Sequence, residues 1–382
     1  MQQIYLDSNS TTPVLPAVLE AMRPFLENQY GNPASAHWAG RRARQALEDA
    51  RERVAACLGA YPDEVIFTSG ATEANNLAIL GLLGHSPSHI VTSPIEHPSV
   101  AEPIRQLTKR GYAVSEVPVD AQGRISPDDV QRAVRSQSRL ASVMLANNEI
   151  GTIQPIKQIA DRIPEGVAFH CDAAQAVGRI HVHFHDLGVT ALTLSGHKFH
   201  GPKGAGALLL RRNTPFAAAF HGGHQQQGRR PGTEPVALIV GLATALDLAD
   251  RERENRLEKV LGLRTRFLSR LCERAAPVVL NGPEHAGMPH TLNVSFPGCR
   301  SDSLLMNLDL AGIACSTGSA CSSGSLLPSP VLKVMAVPPE VLHSAMRFSF
   351  HPFQAEAEIE EAADRIAGVV ARLRKMRDNG SA

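Results

Sequence analysis

The sequence predicts an α/β chain. A large domain with a mostly parallel sheet occupies residues 1–250, and a smaller α+β domain occupies residues 251–382. Three observations lead there. Short runs rich in valine, isoleucine, leucine and threonine alternate with helix-periodic or turn-rich segments up to about residue 250, the pattern of strands joined by crossover helices. Beyond that point two long charged helical segments bracket two strand-like runs. No internal repeat, long linker or low-complexity tract interrupts the chain, and 382 residues suffice for two or three domains. The N-terminal segment is free to pack with the small domain.

The elements follow in order. "GRRARQALEDARERVAACLG" places Ala43, Leu47, Ala50, Val54 and Leu58 three or four apart, an amphipathic helix stopped by Gly59. Its arginines read as the solvated face. "EVIFTSG" reads as a strand and "ATEANNLAILGLLG" as the helix after it. "HIVTSP", "ASVMLANN", "VAFHCD", "ALTLSG" and "GAGALLLR" supply further strands. In the second part, "RERENRLEKVLGLRTRFLSRLCERAA" is a long helix, "TLNVSF" and "AMRFSF" are strands, and "QAEAEIEEAADRIAGVVARLRKM" is a closing helix.

Composition excludes several classes of function. Hydrophobic residues at 43% and charged residues at 20% are ordinary for a globular protein. A net charge of +1 gives no electrostatic case for nucleic acid or an anionic membrane. The start, "MQQIYLDSNSTTPV", lacks the basic and apolar regions of a signal peptide, and no apolar run approaches the ~18 residues that span a bilayer. The expected location is the cytoplasm. The six cysteines form no C-x-x-C pair, so reduced thiols are expected. Lysine is scarce, seven against 31 arginines, which narrows any search for an imine-forming side chain.

In open α/β sheets ligands bind at the carboxyl ends of the strands. Ser69, Gly70, Ala71 and Thr72 follow the first of these strands and open a helix. Small residues there let backbone N–H groups approach an anion; the alternative is an ordinary helix cap followed by Glu73. Asp172 ends "VAFHCD", where a carboxylate is either solvated or available to hold a protonated ring nitrogen. Lys198 follows "ALTLSG", flanked by Gly196, His197 and His200. A phosphate cradle, a strand-end acid and a strand-end lysine together match the needs of one cofactor, pyridoxal 5'-phosphate.

The sequence resembles the cysteine desulfurases of the class-V aminotransferase family. The matching stretches run in order from residue 5 to about 350: "YLDSNSTTPV", "GNPASAH", "FTSGATEANNLAI", "EHPSV", "NNEIG", "HCDAAQAVG", "SGHKFHGPKGAGAL", "HGGHQQQGRRPGTEPV", "STGSACSSGS" and "MRFSF". The resemblance implies the fold-type I architecture of pyridoxal-phosphate enzymes, a large domain plus a small one, and a homodimer. It implies that Lys198 is the Schiff-base lysine, that Asp172 pairs with the pyridine nitrogen and Gln175 with the phenolic oxygen. His97 would stack on the ring and move protons. Ala71, Thr72, Ser195 and His197 would hold the phosphate, with Thr233 reaching it from the second subunit. Asn148 would contact cofactor and substrate, and Arg347 would fork onto the substrate carboxylate. Cys321, set among small residues on what reads as a mobile loop, would take sulfur from L-cysteine as a persulfide. It would pass that sulfur to an acceptor protein such as an iron–sulfur scaffold or a tRNA-thiolation relay. The other product is L-alanine.

Some features stand apart from this pattern. Gln226 stands where the resemblance leads one to expect glutamate. His181, His183 and His185 alternate in "IHVHFH" and would share one face of a strand; a surface edge is the expectation, with a metal site the alternative. Cys315 lies six residues before Cys321 and is expected to be a packed thiol rather than a resolving one. The alternatives to a desulfurase are a selenocysteine lyase, another class-V enzyme, or a thiol carrier without turnover.

Overall fold

The computed structural model describes residues 2–84, 86–318 and 328–380. Its strands, in chain order, are β1 (Ile4–Tyr5), β2 (Val65–Thr68), β3 (His89–Thr92), β4 (Ala113–Glu116), β5 (Ser138–Ser142), β6 (Ala168–Asp172), β7 (Ala191–Ser195), β8 (Gly206–Leu210), β9 (Val279–Asn281), β10 (Thr291–Ser295), β11 (Ile313–Ala314) and β12 (Ala345–Ser349). The large sheet has seven strands in the order β2-β8-β7-β6-β5-β3-β4. β8 runs antiparallel to β2 and β7; the other pairs are parallel. The predicted strands are present, except that β5 ends at Ser142 and so takes only the first two residues of "ASVMLANN"; the mostly parallel α/β class is observed. These strands are buried along nearly their whole length because helices cover both faces, so they read as continuous apolar runs rather than alternating ones.

The helix Trp38–Leu58 buries Ala43, Leu47, Ala50, Val54 and Leu58, the stripe read from the sequence. Gly59 ends it in the left-handed region at φ 58. One arginine departs from the solvated-face expectation. Arg51 is 8% exposed and donates from Nη1 to the carbonyl of Val65 at 2.5 Å. A guanidinium can be buried there because carbonyl, carboxylate and amide acceptors meet it.

A second, three-stranded antiparallel sheet, ordered β12-β10-β9, carries its own core around Phe267, Phe296, Phe348 and Phe350. The long helices Arg253–Arg274 and Glu356–Gly380 pack on it. The chain's start belongs here too: β1 pairs in parallel with β11, and Asp7 bridges Ser349. Residues 8–12 then cross to the large sheet, where Thr12 N–H meets the carbonyl of His197 at 3.0 Å. That crossing places one polar segment over the carboxyl ends of β6 and β7.

"IHVHFH" is not a strand. Phe184–Leu187 forms a single helical turn with His183 just before it and Gly188 closing it at φ 75. The alternation of histidine with Val182 and Phe184 imitates a strand period, but here it records two apolar side chains turned into the core.

Candidate active site

At the carboxyl ends of β2, β6 and β7 lies a cavity of about 490 Å³. Nine of the site residues that the resemblance implies line it: Ala71, Thr72, His97, Asn148, Asp172, Gln175, Ser195, His197 and Lys198. Distant parts of the chain converge because parallel strands all deliver their following loops to one edge.

The helix Ala71–Leu83 begins at this cavity without any side-chain cap. Its first N–H groups are therefore open to an acceptor in the cavity. Glu73, the acid that follows in the helix-cap alternative, reaches back to the turn: it accepts from Ser69 N–H at 2.8 Å and from Arg230 at 2.6 and 3.2 Å. Burial pushes its carboxyl up, but Arg230 and Ser69 outweigh that and hold it below the usual range. Gly70 has φ +153, a conformation that side-chain-bearing residues rarely adopt. Behind it, a Cβ on Gly206 would fall 2.6 Å from Gly70 Cα, so both glycines are needed for the turn to sit this low against β8.

Asp172 ends β6 nearly buried, at 6% exposure. Its Oδ1 accepts from Ala174 N–H at 2.9 Å and its Oδ2 from Asn75 Nδ2 at 2.8 Å. The Asn75 amide also reaches Ser99 Oγ at 2.8 Å, and Ser99 Oγ lies 2.7 Å from His97 Nδ1. A single line of polar contacts thus joins Asp172 to His97. Ser99 N–H donates to His97 Nδ1 at 3.1 Å, which leaves the proton of the neutral ring on Nε2. Burial, helped by Lys198 and Arg347 and opposed by Asp172, lowers the His97 pKa and so favours that neutral ring.

Lys198 closes the turn after β7. Its Nζ donates to the carbonyls of Asn9 and Ser10, the latter at 3.0 Å. Arg179 holds the Lys198 carbonyl at 3.0 and 2.8 Å and the Ser8 carbonyl at 2.7 Å. His197 is kept neutral, its pKa pushed down to about 4 by burial and by Lys198, Lys203 and Arg179. Gln175 donates to the Asn9 carbonyl at 3.0 Å, while its buried Oε1 has no hydrogen-bond partner among the described residues.

Arg347, on β12, stands behind this cavity rather than in its wall. Its Nη1 donates to the Asn148 carbonyl at 3.0 Å, and its Nη2 to Asp7 at 2.7 Å and Ser10 Oγ at 3.0 Å. Its buried Nε has no partner among the described residues. Thr233 does not join the group; it is exposed in the segment before the helix Val236–Arg251. Cys321 lies outside the described residues. Cys315 follows β11 and packs on the second core, with its thiol driven up by burial and by Asp7. Among the described residues no group of three His, Cys, Asp or Glu could hold a metal ion, and His185 pairs with Glu64 at 2.8 Å. His183 and His185 do not share a strand face, because His183 precedes a helical turn and His185 lies within it.

Sequence reasoning missed Asn75, Ser99, Asn9 and Arg179. Asn75 and Ser99 stand inside motifs that were read for their neighbours. Asn9 and Arg179 carry no spacing signal toward Lys198 at all.

The Aminotransferase class-V family profile matches residues 4–361. The chain belongs to the class-V aminotransferase family. Relatives within it include a cysteine desulfurase IscS of Dictyoglomus turgidum, 44% identical over 98% of this chain and 96% of that one. A cysteine desulfurase of Trichormus azollae is 41% identical over 98% and 95%. Among solved structures, a NifS-like protein superposes with a TM-score of 0.92 at 35% identity, covering 97% of this chain and all of that one. The structure of SspA in complex with cysteine gives 0.82 at 35% identity, over 92% and 99%. Class-V enzymes are in general pyridoxal-phosphate dependent, and this donor set fits that group. An uncapped helix start and a glycine turn suit its phosphate, a fixed carboxylate suits its ring nitrogen, and an unpartnered amide oxygen at Gln175 suits a hydroxyl.

Proposed function

We propose that this class-V chain is a cysteine desulfurase that binds pyridoxal 5'-phosphate. It converts L-cysteine to L-alanine and keeps the sulfur as a persulfide on Cys321 for an acceptor protein. The observation that supports this most is the convergence of Lys198, Asp172, His97 and an uncapped helix start on one cavity. When bound, the cofactor supplies an aldehyde for a lysine and an electron sink for the pair left by a departing α-proton.

The chain's residues divide the remaining work. The N–H groups opening the helix at Ala71, with Thr72, Ser195 and His197, bind the phosphate. Asp172, fixed by Asn75 and Ala174, holds the ring nitrogen's proton by charge. Gln175 addresses the phenolic oxygen. Lys198 Nζ removes and returns the proton at the substrate α-carbon. His97, with its proton on Nε2, stacks against the ring and exchanges protons with the reacting atoms. Arg347 binds the substrate carboxylate beside Asn148, exchanging its contacts to the Asn148 carbonyl and Ser10 Oγ for a fork onto the carboxylate. The Cys321 thiolate attacks the substrate sulfur. The carbon–sulfur bond breaks with its electron pair going to carbon, which takes a proton and becomes the alanine methyl group. One sulfur atom is thereby added to Cys321.

Four of the five thiols among the described residues are poor rivals for that role. Burial raises the pKa of Cys171, Cys299 and Cys315, and burial with nearby Asp250 and Asp247 pushes Cys57 to about 11. A homodimer in which Thr233 serves the partner's phosphate fits its exposed position. None of the helices among the described residues is long and apolar enough to cross a membrane.

The test is product analysis. Purified protein given pyridoxal phosphate and L-cysteine should form alanine and, with reductant, sulfide in equal amounts. Lys198→Ala should lose both products and the borohydride label that wild type carries at that lysine. A label on Lys203 instead would reassign the lysine. Turnover of selenocysteine but not cysteine would replace the reading with a selenocysteine lyase.

A further inference from the structure

Gln226 departs from the expected glutamate, and its surroundings give that departure a purpose. The residue is 7% exposed, with its backbone in the left-handed region at φ 49, and Gln227 follows at φ 59. Two successive non-glycine residues in that region need outside contacts to hold them there. The Gln226 amide provides three. Its Oε1 accepts from Phe67 N–H at 3.0 Å and from Arg51 Nη1 at 3.1 Å, and its Nε2 donates to Glu234 Oε1 at 3.2 Å.

These contacts reach the strand that leads into the wall of the candidate active site. β2 is an edge strand of the large sheet, and Gln226 satisfies a backbone N–H on it while Arg51 satisfies the Val65 carbonyl. β2 passes directly into Ser69–Thr72. The same segment grips the other side of that turn, because Arg230 binds Glu73, which in turn accepts from Ser69 N–H. Residues 226–234 thus clasp the strand that enters the turn and the helix that leaves it.

We propose that Gln226 is a positioning residue for the phosphate cradle, selected as an amide because Glu234 faces it. The inference rests on reading residues 69–72 as that cradle. A glutamate at 226 keeps both acceptor contacts, to Phe67 and Arg51. It has no proton for Glu234, however, and sets two carboxylates about 3.2 Å apart. Arg51 Nη1 offsets part of that charge, but its Nε is spent on Glu48 at 2.9 Å and it gives Glu234 no proton in place of the lost amide. Exchanging the pair restores every contact with the roles reversed: a glutamate at 226 accepts from an amide at 234.

The experiment measures apoprotein affinity for pyridoxal phosphate and for pyridoxal, by fluorescence quenching, in wild type, Gln226→Glu and Gln226→Glu/Glu234→Gln. Wild type should prefer the phosphorylated form strongly. Gln226→Glu should lose roughly tenfold or more of that preference, the size of one hydrogen bond to a charged group. The exchanged pair should regain most of it. A role confined to stability would lower melting temperature in Gln226→Glu but leave the preference intact, and that result overturns the inference. So does a double variant no better than the single. If wild type itself fails to distinguish the two ligands, the cradle reading fails first.

Discussion

Asn75→Ala probes the polar line that joins the two ends of the candidate site. Asn75 is fully buried, and its Nδ2 meets both Asp172 Oδ2 and Ser99 Oγ at 2.8 Å. Removing it leaves one oxygen of a buried carboxylate without a donor and frees the hydroxyl that steadies His97. A hydrogen bond to a charged group contributes about 1.5–3 kcal/mol, or about 10–150-fold in an equilibrium or rate. The effect should divide unevenly. No donor among the described residues reaches Asn75 Oδ1, so truncation also deletes an unsatisfied buried acceptor. Global stability should therefore fall by less than the site does. The assay pairs cofactor affinity and kcat/KM for L-cysteine with chemical denaturation of the same variant. Cofactor affinity and kcat/KM both within twofold of wild type would refute the claim that Asn75 orients Asp172.

Three further outcomes are expected. Arg347→Lys keeps a charge beside Asp7 but loses the fork, so KM for cysteine should rise about tenfold or more while cofactor affinity changes little; an unchanged KM would move the carboxylate site elsewhere. His170 is buried between Ser142 and Thr193 with its pKa pushed down to about 4 by burial. Its folded pKa is depressed, so the unfolded chain takes up a proton below the ordinary value of about 6.5 while the folded one does not, and stability falls as pH drops toward about 4. His170→Asn should remove about 2 kcal/mol of the loss seen between pH 7 and pH 5, an order-of-magnitude figure; equal losses in both proteins would contradict it. Gly206→Ala drives a methyl group into the Gly70 turn and should weaken binding of pyridoxal phosphate far more than of pyridoxal, measured by titration.

The legible parts of the fold and site share a physical origin. Lys198 and Asp172 show in the sequence because each stands where a buried strand's apolar run stops, and that is where a parallel sheet exposes its ligand edge. Asn75 is hidden because its helix buries residues on several faces, so the periodic contrast that marks a solvent face is absent. Asn9 and Arg179 act through main-chain carbonyls, and no residue-type pattern announces a carbonyl. Arg51 was available to closer reading. Positions 47, 51, 54 and 58 follow the apolar stripe of their helix, so a guanidinium at 51 has to enter the interior and find acceptors there. The histidines of 181–185 misled because a short turn with two inward apolar residues has the same alternation as a strand. Gln226 shows as a departure in the sequence, but its reason lies in Glu234 and in an edge strand far away in the chain.

The central claim is that sulfur passes from L-cysteine to Cys321. The direct measurement is mass spectrometry of digested wild-type protein after exposure to pyridoxal phosphate and L-cysteine without reductant, alongside Cys321→Ser. The account predicts one added sulfur on the peptide carrying Cys321. It also predicts that Cys321→Ser keeps the cofactor's visible absorbance band and its change on adding cysteine, yet forms no sulfide. An added sulfur on Cys315 or any other thiol, or full sulfide production by Cys321→Ser, would contradict it.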